Sequence, residues 1–181
     1  MSEERFDHVI DSRRSGKLPD LAELIRYRDL IKLFVRRTFV TQYRQTILGP
    51  GWAIIQPLIT TVIFMLVFGN LAGLSPEGVP TFIFYLAGSV LWTYFSGALT
   101  STANTFVNNA HIMGKVYFPR LVMPISTVVG QLISFAIQFV MFLGFFIYYL
   151  ATGSGIEPNI WLLMTPLLIL HLALLALAVG I

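Results

Sequence analysis

The chain has 181 residues, a mean hydropathy of +0.75 and only 12% charged residues, about half the roughly one-quarter share of a soluble domain. Its net charge of +3 is small and its basic residues crowd an apolar boundary with no groove-reading motif, so no nucleic-acid partner is implied. The absence of cysteine excludes disulfides and thiolate metal centres.

Residues 1–19 are polar and mixed in charge, and read as a flexible cytoplasmic tail. At Pro19-Asp20-Leu21-Ala22-Glu23, Asp20 can accept from orphan backbone N–H groups while Glu23 reaches back, which predicts a helix start. Across residues 20–48, Leu24, Ile25, Ile31, Phe34, Val35, Thr38 and Phe39 share one helical face. Arg26, Asp29, Arg36, Arg37 and Arg44 share the other, with Leu33 and Val40 as exceptions. Such an Arg-rich amphipathic helix suits a membrane interface, where long cationic side chains reach phosphates. The alternative, a helix packed on a soluble domain, needs a domain that is not visible in these residues.

Gly49-Pro50-Gly51 then predicts a bend from a helix along the surface to one that crosses it, serving as a plain turn or as a hinge. Trp52 falls where an amphipathic ring anchors best. Residues 52–181 form a transmembrane region, because a crossing needs about 20 apolar residues for a core of roughly 30 Å. Spans are expected over about 52–74, 81–100, 121–150 and 161–181. The third is longer than one crossing needs and should kink at Pro124 or extend past the bilayer. The fourth shows no charged or aromatic flank at its exit, so the sequence is expected to continue beyond Ile181. The N-terminus lacks a secretory signal, so the first span is expected to stay in the protein.

Lys115 and Arg120 stand between the second and third spans, whereas the other two loops carry Glu77 and Glu157 and no basic residue. Basic segments stay cytoplasmic, which puts the N-terminus and the second loop on that side. The expected fold is an all-α polytopic membrane protein with an N-terminal amphipathic interface helix and four membrane spans.

Ionisable groups are costly at membrane depth, and the first three spans hold none well inside. His171 in the fourth stands alone, and no nucleophile elbow, HExxH, metal cluster or phosphate loop is present. If ATP drives this protein, another chain binds it. What the spans hold is uncharged polarity. In the first, Trp52, Gln56, Thr60, Phe64 and Phe68 recur at four-residue steps, and aromatic faces beside amides and hydroxyls suit a saccharide path. In the second, Ser89, Thr93, Ser96, Gly97, Thr100 and Asn104 share a side; in the third, Thr127, Gly130, Gln131, Ser134 and Gln138 do. These two stripes read as helix packing, since small and hydroxylated residues let membrane helices approach. Between them, a short helix from Ala103 to about Met113 puts Asn108, Asn109, His111, Lys115 and Tyr117 on the cytoplasmic side, as a solvated loop or a docking knob.

YRQTILGPGWAIIQPLITTVIF followed by GKVYFPRLVMPIS resembles the membrane subunit of ATP-binding-cassette exporters of cell-surface polysaccharide, the O-antigen, teichoic acid and capsule transporters. The resemblance covers about Leu30 to Leu150. It implies a type-2 permease of the bacterial inner membrane, usually a homodimer with six spans per subunit, of which the first four are present here. It implies that Leu21 to Tyr43 is the interface helix, that Ala103 to Tyr117 is the coupling helix, and that the first span lines the path. It also implies two separate ATPase subunits, which carry ATP and Mg, so that no cofactor belongs to this chain. A drug or lipid exporter of the same architecture stays open. So, from another class, do a membrane-embedded glycan-processing enzyme and a scaffold that recruits a cytoplasmic protein.

Overall fold

The structure, a computed structural model, describes residues 26–44, 49–113, 119–153 and 160–181. Apolar sequence forms helix here because hydrocarbon offers no partner for backbone N–H and C=O groups, so each helix satisfies its own. In chain order come α1 (Arg28–Arg44), a 3-10 turn (Gly49–Gly51) and α2 (Trp52–Phe64), which continues as a π-helix (Met65–Leu71). Then follow α3 (Thr81–Ala103), the single turns α4 (Thr105–Asn108) and α5 (Ala110–Met113), and α6 (Val122–Ala151). A 3-10 segment (Ile160–Met164) leads into α7 (Thr165–Gly180). Among the described residues four helical stretches are long and apolar enough to cross a membrane: Trp52–Leu71, Thr81–Ala103, Val122–Ala151 and Leu162–Gly180. The fold is therefore all-α and polytopic.

Helix α3 is the centre of the bundle and packs against α2, α6 and α7. Its buried seam runs Ile83, Leu86, Val90, Tyr94, Ala98 and Thr102, three or four residues apart. Phe135 of α6 and Ala176 of α7 close on that seam. Small residues bring the helices near: a Cβ on Gly180 would lie 2.7 Å from the Cβ of Thr102, so α7 and α3 meet where only glycine fits.

Helix α1 does not stand apart. It runs alongside the first half of α6, in the same direction. Phe34 packs on Val122 and Met123, Thr38 lies against Gly130, and the Tyr43 hydroxyl donates to Ser134 Oγ at 2.9 Å. The apolar face read from the sequence is thus used at least in part against another helix, while Leu33 and Val40, its exceptions, are exposed. Asp29 pairs with Lys32 at 3.4 Å on the opposite, solvated side, a contact worth little.

One expectation is narrowed and one corrected. Of the two readings of the third span, a kink at Pro124 or an extension past the bilayer, the structure takes the second: α6 is continuous for 30 residues, about 45 Å, longer than one crossing needs. Pro124 sits in its first turn, where the missing N–H removes no intrahelical bond. The segment after the second span is not one helix from Ala103 to Met113 but two turns broken at Asn109. There the side-chain amides compete with the ladder, Asn104 Nδ2 donating to Thr100 O and Asn109 Nδ2 to Thr105 O, both at 2.9 Å. The expected tail 1–19, the helix start at Asp20, and the loops holding Lys115, Tyr117 and Glu157 lie outside the described residues.

Candidate functional site

The bend between α1 and α2 is built as its composition requires. Gly49 has φ of +52°, the left-handed region that a side chain disfavours, whereas Gly51 has an ordinary helical φ of −59°. The two glycines are therefore not equivalent. Trp52 opens α2 and is exposed, in keeping with an anchoring ring. Arg36 and Arg37 are exposed on α1; the side chains of Arg44 and Pro50 lie outside the described ones.

The segment after the second span is tied to the helices behind it. Thr105 and Thr127 share a hydrogen bond at 3.1 Å, and Gln131 Nε2 donates to Ser101 Oγ at 3.0 Å. Asn108 and His111 face outward, while Asn109 is half-buried. Between this segment, α1 and α6 lies a polar cleft of about 550 Å³, with Arg37, Thr41, Asn104, Asn108, Ser126 and Gln131 among its walls.

The polar stripes of the second and third spans turn toward one another and toward α1 and α2. Besides the bonds just named, Ser89 and Thr61 meet at 2.9 Å, both buried, and Gly97 lies against the Gln131 amide. Small and hydroxylated side chains are here the contacts that hold the helices.

The first-span stripe is not brought together. A four-residue step on a helix of 3.6 residues per turn overshoots by about 40°, so Trp52 and Phe64 are about 120° apart. Trp52 and Gln56 line a cavity of about 220 Å³ between α2, α3 and α6, closed on one side by Tyr43 and Ser134. The Thr60 hydroxyl donates to its own helix at Gln56 O. Phe64 and Phe68 pair edge to face at 5.6 Å on an exposed surface farther out. They stand where the α-helix gives way to the π-helix, a geometry frequent at functional sites. The π-helix is finished by Leu74 N–H donating to Phe68 O, and Tyr85 Oη donates to Leu74 O at 2.7 Å.

Two residues of this region carry no signal that the stripes alone reveal. Tyr43 ends the apolar side of α1 and finds its partner 91 residues away. Tyr94 is buried inside α3 with a hydroxyl that has no partner in the described structure. His171 is exposed among leucines of α7, and no group of three or more His, Cys, Asp or Glu gathers among the described residues.

A sequence profile of the family described as ABC-2 type transporter matches residues 29–181. The chain is also similar to the O-antigen export system permease protein RfbA of Myxococcus xanthus, 27% identical over 149 residues. That alignment covers 82% of this chain and 54% of the relative. The protein of the same name from Klebsiella pneumoniae is 25% identical over 142 residues, 77% of this chain and 52% of the relative. The chain thus spans about half the length of the curated relatives it matches.

Proposed function

Because the chain belongs to the ABC-2 type transporter family and is a multi-pass inner-membrane permease, we propose that it serves an ATP-driven exporter of a lipid-linked polysaccharide, O-antigen, teichoic acid or a similar glycan. The observation that carries this reading is the similarity, over most of the chain, to permeases named for O-antigen export. The membrane helices agree with it, since their polarity is amide, hydroxyl and aromatic rather than ionic, the chemistry that meets the hydroxyls and C–H faces of sugars.

In this reading two copies of the permease form the pathway, and a separate cytoplasmic ATPase on each side supplies ATP and Mg. Closure of the ATPases presses on the segment from α4 through α5 to Tyr117, where Asn108, Asn109, His111, Lys115 and Tyr117 form the contact. The push passes through the Thr105–Thr127 and Gln131–Ser101 bonds into α3 and α6. From α6 it reaches α1 through Gly130 and Ser134, and so the bend at Gly49 and the start of the first span. Arg36, Arg37 and Arg44 hold α1 to phosphates while it moves. Gln56, Thr60, Phe64 and Phe68 are then successive stations for the glycan rather than one flat stripe.

Co-purification with the ATPase encoded beside it tests the reading. A stable complex that hydrolyses ATP is expected, and Lys115→Glu with Tyr117→Ala should weaken both assembly and turnover; absence of any ATPase partner would return the enzyme and scaffold readings. Phe64→Ala or Phe68→Ala should lower glycan-stimulated turnover several-fold in that complex, whereas unchanged stimulation and export in both variants removes the aromatics from the path.

A further inference from the structure

The cavity behind Trp52 and Gln56 is distinct from the exposed Phe64–Phe68 surface, and its walls hold an unusual demand. Of the residues that line it, Tyr94 is 3% exposed and Gln138 is 6% exposed. Tyr94 Oη and Gln138 Oε1 have no hydrogen-bond partner in the described structure. A buried polar atom left in this state is costly, and more so at low dielectric. The rest of the wall has a consistent chemistry. Trp52, Tyr43 and Phe135 give aromatic surface, Gln56, Gln131 and Thr93 give uncharged donors and acceptors, and among the described residues no charged side chain lines it. The described wall thus offers amides, hydroxyls and rings rather than a countercharge. A pyranose ring fits it on both counts, with C–H faces for the rings and hydroxyls that both donate and accept for the amides.

Size and access narrow the ligand further. A volume of about 220 Å³ lies below the roughly 300 Å³ at which pockets for drug-sized ligands begin, so it accepts one ring and not an oligosaccharide. Trp52 and Gln56 are exposed at the mouth, whereas Tyr94, Phe135 and Gln138 are buried at the back. We infer that this cavity is a subsite for a single neutral sugar residue, held between Trp52 at the mouth and the unpartnered polar atoms of Tyr94 and Gln138 at the back. The inference rests on the polysaccharide-export reading and adds to it a defined station, off the aromatic surface and next to the α1–α6 contact at Tyr43. Occupation of the subsite would then bear directly on that contact.

The test is saturation-transfer NMR on the full-length permease with its ATPase in lipid nanodiscs, with the methyl glycosides of glucose, galactose, mannose, rhamnose and N-acetylglucosamine as probes. At least one neutral glycoside should bind saturably, and methyl glucuronoside, which carries a charge, should bind at least several-fold more weakly. Gln138→Leu should lower the affinity about tenfold, and Thr93→Val, which keeps the shape of the side chain, about threefold. The second variant decides the matter if the first does not fold. Tyr148→Phe, far along α6, should leave binding unchanged. If no neutral glycoside binds, the cavity holds ordered water only and the inference is overturned. If binding ignores both Gln138→Leu and Thr93→Val, the sugar sits elsewhere and the inference is equally overturned. Export of the glycan, measured in parallel, separates the two levels: export without glycoside binding removes the subsite alone, and binding without export removes the transport reading.

Discussion

Gly130 and Gly144 stand in the same helix, α6, and live in different surroundings. A Cβ on Gly130 would lie 3.6 Å from the Thr38 side chain of α1, while a Cβ on Gly144 would meet nothing within 4 Å. The difference holds for the whole helix. All of its buried residues fall between Val122 and Gln138, and its polar residues Ser126, Thr127, Gln131, Ser134 and Gln138 fall there too. Beyond Gln138 the helix carries a ladder of aromatics, Phe139, Phe142 and Phe146, with neighbouring centroids 6.0 Å apart, and no buried residue. One half is gripped by α1 and the end of α3; the other meets α3 and α7 through partly buried aromatics, Phe145 lying 5.3 Å from Phe82, and leaves the rest of its surface exposed. Hydrophobicity alone does not tell them apart, because both are apolar on average; the small and hydroxylated residues do.

Putting the same bulky residue at the two glycines should separate the halves most sharply. Gly130→Phe must push α1 away from α6 and should cost roughly 1–3 kcal/mol through overpacking, while Gly144→Phe should stay within about 0.5 kcal/mol of the parent. Thermal unfolding in detergent and protease cleavage within α1 would show both effects; equal behaviour of the two variants would dissolve the comparison. A smaller contrast belongs to the bend that α1 feeds. Gly49→Ala forces a side chain into the left-handed region at about 1–2 kcal/mol, and Gly51→Ala, at a helical φ, should be nearly silent. Export should fall more with the first than with the second while both insert into the membrane normally, and identical export would leave the bend without a mechanical role. The mildest change is Tyr43→Phe. Losing its bond to Ser134 should cost about 0.6 kcal/mol, the average for a hydrogen bond between membrane helices. The same substitution at exposed Tyr148 should cost nothing measurable, and a Tyr43 variant as stable as that control would mean the docking of α1 rests on apolar packing alone.

The four crossings were legible because their signal is local: charge-free runs of the right length end where Gly, Pro and polar residues gather, and the helix boundaries agree to within a few residues. The division of α1 into an apolar and a basic face was legible for the same reason. What the apolar face touches was not, because Phe34, Thr38 and Tyr43 find partners at Val122, Gly130 and Ser134, far away in sequence. The break at Asn109 escaped because a helical pattern does not report a side-chain amide that shares the Thr105 carbonyl with its own backbone N–H. At the candidate site, the stripe from Trp52 to Phe68 looked continuous only because a four-residue step ignores the helix's own turn. Its inner members line a cavity and its outer members face away. The uncharged stripes of the second and third spans, by contrast, were legible as contact surfaces, and Ser89, Gly97, Gln131 and Ser134 serve as such.

The π-helix at Met65–Leu71 has a consequence in the language of insertion and deletion. Each of its hydrogen-bonded rings closes five residues on instead of four, so the segment holds one residue more than an α-helix would need to pass the same turn. Removing one residue there would restore α-helical closure and rotate only the short stretch that leads to Leu74. The same removal between Trp52 and Phe64 would turn the whole outer half of the span, Phe64 and Phe68 included, by about 100°. A change of chain length in the first span is therefore tolerated at its outer end and nowhere else along it.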